Sequence, residues 1–254
     1  MRIIAIANQK GGVGKTTTAV TLAHAFALGG YRTLLVDLDP QGNAATMLGM
    51  DVQPMLYNLL VLKHTPGQCI QPTGRPNLDI LAGDKSTSEA KEAISGKFRR
   101  ETILADRLRP VYNQYDYVFL DCAPSLDILN VNAMTAANSV IIPVSVEFMS
   151  LVGLRGYIDT LAEITQHEYQ IHVSAVLPTF MENVTTEAKT TMSQLQEKFG
   201  NLLAQPIRRD QRLKEAPAEG KTIFEYDPRS RGALDYTALY KQLTGGTSYG
   251  AQSS

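Results

Sequence analysis

The chain has no tryptophan, two cysteines and four histidines in 254 residues, and each shortage excludes a class of chemistry. Cys69 and Cys122 stand far apart and form neither a metal-spaced pair nor a disulfide framework, so both read as reduced thiols. His24, His64, His167 and His172 are scattered, which leaves no zinc or histidine-based catalytic constellation. No apolar run approaches the length needed to span a bilayer, and Met1-Arg2 leads straight into a strand-like segment without a charged and apolar leader. A cytoplasmic protein is expected. The formal net charge is -1, so any affinity for nucleic acid must come from a local patch rather than from the whole surface.

What is present is the composition of one α/β domain: 44% hydrophobic and 19% charged residues. Short apolar runs at 3–7, 33–36, 78–81, 117–120, 140–144 and 171–177 read as buried strands, several of them rich in β-branched residues. They alternate with helix-period segments at 16–28, 99–112, 151–165, 186–199 and 233–243. That order predicts a twisted, mostly parallel sheet with helices on both faces in a single domain, 1–244, followed by a flexible tail, 245–254.

The densest signal lies between the first strand and the first helix, where residues 10–16 read Lys-Gly-Gly-Val-Gly-Lys-Thr. Gly11, Gly12 and Gly14 allow a tight turn whose N–H groups point at phosphate oxygens, and the helix that follows adds the positive end of its dipole. Lys15 and Thr16 stand at the P-loop spacing, the lysine for the outer phosphates and the hydroxyl for magnesium. The nucleotide site is therefore expected over Lys10, Gly11, Gly12, Val13, Gly14, Lys15, Thr16 and Thr17. Lys10 is the unusual member, because a second lysine beside the first would be repelled unless further anionic charge, or a second nucleotide, comes within reach. Asp121 follows Val118-Phe119-Leu120 and should emerge at the carboxyl end of a buried strand, where it can hold a magnesium-bound water. Asp37 and Asp39 are two apart, so on an extended strand both would face the loop. For Asp37, support of the loop or metal shell competes with helix capping.

These residues resemble the deviant Walker A ATPases of the ParA and MinD type, which share Lys-Gly-Gly-x-Gly-Lys-Thr. Val36 to Asn43 is similar to the family's first switch, Asp121-Cys122-Ala123-Pro124-Ser125 to its Walker B strand and second switch, and Phe224 to Gly232 to the signature of the partition branch. The resemblance covers nearly the whole chain. It implies Mg-dependent ATP hydrolysis, weak unless a partner stimulates it, with Lys10, Lys15 and Asp39 catalytic and Thr16, Asp39 and Asp121 around Mg2+. It makes Lys10 the signature lysine that reaches the partner's nucleotide across an ATP-dependent homodimer. Many relatives carry a proline and an asparagine facing the base; the corresponding Arg208 and Asp210 are the nucleotide-binding positions expected at the adenine, where Asp210 can accept from the amino group but lacks the donor an asparagine offers.

The C-terminal third supplies a basic patch: Arg208, Arg209, Arg212, Lys214, Lys221, Arg229, Arg231 and Lys241. Within it, Arg229, Arg231 and Lys241 are the expected contacts to non-specific DNA, giving affinity through phosphates without sequence readout. No helix-turn-helix domain precedes Ile3, so operator binding is not expected. The resemblance implies a nucleoid-associated switch that segregates or spaces a cargo (a chromosome, a plasmid or a protein assembly such as a microcompartment) and answers to a ParB-like or adaptor protein. Residues 51–100 match the family least and are the candidate segment for partner specificity. Two rival readings remain. A membrane-associated MinD-like ATPase is disfavoured by a tail, Gly245 to Gly250, that cannot present an apolar face with basic flanks. A metal-cluster-loading ATPase would call for a cysteine pair.

Overall fold

The computed structural model describes residues 1–51, 53, 55–146, 156, 171–182 and 186–245. Seven strands form one sheet: β1 (Arg2–Ile6), β2 (Thr33–Asp37), β3 (Gln71–Pro72), β4 (Leu78–Leu81), β5 (Tyr117–Asp121), β6 (Ser139–Ser145) and β7 (His172–Thr179). Their order is β3-β4-β2-β5-β1-β6-β7. All neighbours are parallel except β3, which runs antiparallel to β4 at the edge. Central strands buried on both faces need apolar residues at consecutive positions, which is what Ile3-Ile4-Ala5-Ile6 supplies.

The alternation then divides the interior into two cores. Ile3, Ala5, Leu34, Val36, Val118 and Leu120 face one side, with Leu56, Leu59, Ala90, Ile94, Leu104 and Leu129 packed on them. Ile4, Ile6, Leu35, Phe119 and Ile141 face the other, covered by Leu22 and Phe26 of the helix Lys15–Leu28 and by Tyr236, Leu239 and Tyr240 of the helix Arg231–Leu243. Phe26 is the hub of that second core. Its ring centroid lies 4.3 Å from Tyr117, 5.0 Å from Tyr240 and 5.1 Å from Phe119. Full burial and four aromatic contacts, Tyr31 at 5.9 Å being the fourth, make Phe26→Ala a loss of about 3–5 kcal/mol.

All six expected strands are present; the two-residue β3 has no counterpart among them. The helices over 16–28, 186–199 and 233–243 are present within two residues at their ends, and the helix expected at 151–165 lies, apart from Gly156, outside the described residues. The continuous helix expected over 99–112 is not what forms. Arg99 adopts φ +54°, a 3-10 turn covers Arg100–Thr102, an α-helix covers only Ile103–Leu108, and a second 3-10 turn covers Arg109–Val111. Pro110 lacks the N–H an α-helix needs there, and its ring would meet the carbonyl one turn back.

Candidate nucleotide site

The register of the three central strands builds the site. Ile6 of β1 lies opposite Asp121 of β5, and Asp121 lies opposite Asp37 of β2. The loop that leaves β1, the loop that leaves β2 and the carboxylate ending β5 therefore meet at one edge of the sheet, where open α/β sheets place ligands.

The loop from Asn8 to Gly14 is tied at its ends and open along its length. Asn8 donates through Nδ2 to the carbonyl of Pro143 at 2.7 Å and accepts from the N–H of Lys10 at 3.0 Å. The Thr179 hydroxyl donates to the carbonyl of Val13 at 3.0 Å. Gly12 (φ +72°) and Gly14 (φ +85°) occupy the left-handed region, where a side chain would strain the backbone. Gly14 is also the N-cap of Lys15–Leu28 and supplies no side-chain cap, so the first-turn N–H groups are left to an anionic ligand. Gly11 differs from its neighbours: a Cβ there would meet nothing within 4 Å.

Lys15 is buried and donates through Nζ to the carbonyl of Lys10 at 3.0 Å, folding back over the loop. Burial lowers its pKa, opposed by the fields of Asp121 and Asp39. Lys10 is exposed at the rim. Asp121 is fully buried, and neither of its carboxylate oxygens makes a well-formed hydrogen bond. Burial and the neighbouring Asp37 raise its pKa well above the carboxylate range, and the Thr16 hydroxyl and Lys15 oppose that only in part. Two orphaned carboxylate oxygens beside a phosphate cradle are the mark of a site built for a cation or its bound water. The residues thus fit magnesium, which is held by few protein groups and keeps several waters. Thr16, Asp39 and Asp121 are the groups that would hold it. Among the described residues no cluster of three or more His, Cys, Asp or Glu side chains is arranged as a metal site, and burial raises the pKa of both Cys69 and Cys122, keeping them as thiols.

Asp39 and Asp37 part company. Asp39 lines a cleft of about 530 Å³ together with Gly11, Gly12, Lys15, Thr16 and Thr17. Asp37 does not line that cleft. Fully buried, it accepts from the N–H of Asp39 at 3.0 Å and from that of Ala44 at 3.0 Å. It therefore caps the helix Asn43–Met47, whose own N-cap, Gly42, has no side chain to do so. Of the two carboxylates only Asp39 lines the cleft, because that of Asp37 is taken up by the N–H groups of Asp39 and Ala44.

Val13 is buried beneath the loop, and Arg208 and Asp210 stand beside Gly14, Thr17 and Phe180 in a narrow recess. Both already have partners. Arg208 grips Asp235 at 2.7 Å, while Asp210 accepts from the N–H groups of Gly232 and Arg212 at 2.9 and 3.0 Å. Leu213, Lys214 and Pro217 also line the phosphate cleft, contributions that no spacing rule in the sequence singles out. Arg229, Arg231 and Lys241 are exposed and, unlike Arg208, Arg209, Arg212 and Lys221, form no ion pair among the described residues. They do not share the nucleotide cleft; Arg231 and Lys241 lie at opposite ends of one helix.

Comparison with known proteins agrees with this geometry. The AAA domain family matches residues 1–174. The chain is 40% identical over 247 residues to the sporulation initiation inhibitor protein Soj of Bacillus subtilis, covering 95% of this chain and 98% of that one. It is 36% identical over 247 residues to the chromosome partitioning protein ParA of Myxococcus xanthus, covering 95% and 87%. Among solved structures, cobyrinic acid a,c-diamide synthase from Mycobacterium smegmatis with bound ADP and magnesium matches with a TM-score of 0.80 at 29% identity over 97% of each chain. An ATP complex of a Cyanothece McdA variant matches with a TM-score of 0.83 at 24% identity over 98% of each chain, a likeness of fold. With loop, switch and Walker B carboxylate assembled at one sheet edge, the chain belongs to the ParA/MinD family of deviant Walker A P-loop ATPases, alongside Soj and ParA.

Proposed function

We propose that the protein is an ATP-driven positioning switch that pairs as an ATP-bound homodimer, holds nucleoid DNA without sequence preference, and lets go when a ParB-like or adaptor partner stimulates hydrolysis. The observation that carries the ATPase part is the convergence of Lys15, Thr16, Asp39 and the unpartnered Asp121 on one glycine loop. In-line attack of water on a phosphoryl group needs charge placed where charge develops, and little covalent chemistry from the protein. Lys15 supplies a buried cation beside the outer phosphates. Asp39, on a loop that Asp37 holds by two hydrogen bonds, orients the attacking water. Bound magnesium would neutralise phosphate charge, with Asp121 and Thr16 positioning its shell.

Pairing is supported by two features of the rim. Gly11 is free of intramolecular crowding, and Lys10 extends a second cation from the loop. DNA binding is supported by Arg229, Arg231 and Lys241, whose charges no acid neutralises among the described residues. No helix among those residues is long and apolar enough to cross a membrane.

The test is retention of unrelated DNA duplexes by the purified protein in ATP, in ADP and without nucleotide, across a salt series, with Lys10→Ala in parallel. Sequence-indifferent binding in ATP alone, lost in Lys10→Ala, is expected. Charge removal at Arg229, Arg231 or Lys241 should reduce the log–log salt slope by about one per residue. ATP-dependent dimers with no DNA retention would overturn the DNA reading and leave the nucleotide site intact.

A further inference from the structure

Phe98 is 93% exposed, while the next most exposed large apolar side chain among the described residues, Leu234, is 55% exposed. It lies in a turn reading Lys97-Phe98-Arg99-Arg100, all of it exposed. The three cations make no ion pair among the described residues, although Lys91, Arg109 and Arg32 nearby in sequence or fold each find an acid. An unneutralised basic collar thus surrounds a bare ring.

The turn is not a frayed loop. The N–H of Lys97 donates to Ile94 at 3.0 Å, that of Thr102 donates to Arg99 at 3.1 Å, and the Arg100 guanidinium donates to the carbonyl of Ser95 at 2.6 Å. Asn132, 1% exposed, clamps it from behind, donating to the carbonyl of Arg100 at 2.8 Å and accepting from the N–H of Leu104 at 2.9 Å. Asn132 belongs to the helix Ile128–Ala136, which Asp127 caps just beyond the Walker B segment. The ring is therefore presented outward by a fixed backbone, so the ordering entropy of the turn, though not of the ring's own rotamers, is already spent before anything binds.

Its place in the fold separates it from the basic residues of the C-terminal helix. Ile94, Ile103 and Leu104 flank the turn and pack into the core on one face of the sheet, whereas Tyr236, Leu239 and Tyr240 pack the helix of Arg231 and Lys241 onto the other. A ligand on one would leave the other open.

We propose that the Lys97–Arg100 turn is a docking knob for an acidic protein partner, in which Phe98 enters an apolar pocket rimmed by carboxylates. Aromatic rings and arginines are the residues that anchor protein interfaces. Phosphate contacts to duplex DNA gain nothing from an exposed phenyl ring, and a ring wedged between base steps must first unstack them, an occupant that the duplex arm of the test below reads. Single-strand binding uses several stacking platforms along a groove, and a membrane anchor uses an apolar stripe along a helix; the turn has one ring and neither groove nor helix. This deepens the positioning reading above by naming the chemistry of a partner.

The experiment is selection of a random 12-residue peptide library on the full-length protein in ATP, with counter-selection on Phe98→Ala. Peptides carrying an apolar centre flanked by Asp and Glu are expected, binding at least tenfold more weakly to Phe98→Ala and to Lys97→Glu. Because Phe98 touches little of the fold, ATP binding by both variants should match that of the parent. Enrichment of basic peptides, or of none that depend on Phe98, would overturn the proposal. So would a tenfold loss of duplex DNA or phosphatidylglycerol vesicle binding in Phe98→Ala, which would reassign the knob to that surface. A protein that shows no ATP-dependent DNA binding but retains Phe98-dependent peptides would instead refute the positioning reading alone.

Discussion

Arg75 and Glu225 share two parallel hydrogen bonds of 2.9 Å across 150 residues of sequence. The same guanidinium donates to the carbonyls of Leu48 at 3.0 Å and Gly220 at 2.9 Å. One side chain thus joins the helix after the first switch, the sheet edge and the C-terminal signature. Planar donors in a fixed fork suit this role, and an ammonium does not. Arg75→Ala should lower stability by about 2 kcal/mol, the cost of stranding a half-buried carboxylate and two carbonyls, and Arg75→Lys should recover little of it. Urea unfolding of the three proteins checks this; equal midpoints for parent and Arg75→Ala would show the clasp to be energetically idle.

Burial pushes the imidazole of His24 down to about 4, partly offset by the Glu225 charge. Its Nδ1 lies 2.6 Å from the Thr222 hydroxyl. The folded protein keeps this ring neutral while the unfolded chain takes up a proton near pH 6.5, so acidification through that window favours unfolding. Stability should be level above pH 7 and fall by about 2 kcal/mol at pH 5 from this group alone. In His24→Gln that loss should shrink, read as a smaller Tm difference between pH 7 and pH 5. Identical differences in both proteins would assign the acid sensitivity elsewhere.

Two glycines make opposite forecasts. Gly11 has open space around a Cβ, so Gly11→Val should leave the melting temperature within about 1 °C of the parent's, as surface changes do, yet abolish ATP-dependent pairing. Gly220 has φ +65°, and its Cβ would lie 2.5 Å from the Cα of Gly49. Gly220→Ala should cost about 2 kcal/mol or more through left-handed strain and backbone contact. Sedimentation with ATP separates the first effect from the second; a Gly11→Val dimer would remove the argument for close approach of two loops.

At the nucleotide site, Lys15→Gln should weaken ATP binding about a hundredfold, because it would remove the buried cation proposed to lie beside the outer phosphates. Asp39→Ala should retain binding and lose about 10²–10³ in hydrolysis, the range for one preorganised electrostatic group. Titration with a fluorescent ATP analogue and a phosphate-release assay read the two separately. Unchanged hydrolysis in Asp39→Ala would remove it from the water-positioning role.

The strands and the phosphate loop were legible because each rests on short-range rules: consecutive apolar residues for a doubly covered strand, and glycines and a lysine at fixed spacing for the cradle. Asp121 was legible as the polar end of an apolar run. What sequence could not convey depends on contacts between distant segments. Asp37 caps a helix seven residues on because the chain turns back after β2, and Leu213, Lys214 and Pro217 reach the cleft by tertiary folding. The broken helix at 99–112 is a different case, since Pro110 signalled the break and the apolar periodicity around it masked the signal.

The hydroxyl of Thr18 meets that of Tyr236 at 3.0 Å inside the core, and the rings of Phe26 and Tyr240 meet about two turns further along the first helix and one turn further along the second. The helix that starts at the phosphate loop and the helix that carries Arg231 and Lys241 are thereby stitched into a single rigid body. On the positioning reading proposed above, nucleotide would then have little freedom to tilt Arg231 and Lys241 within one copy. On the same proposal a nucleotide-dependent grip on DNA would be a matter of valence: two weak patches brought into one particle would bind with the product of their affinities scaled by their local concentration, and separating the copies would return each patch to a hold too brief to matter.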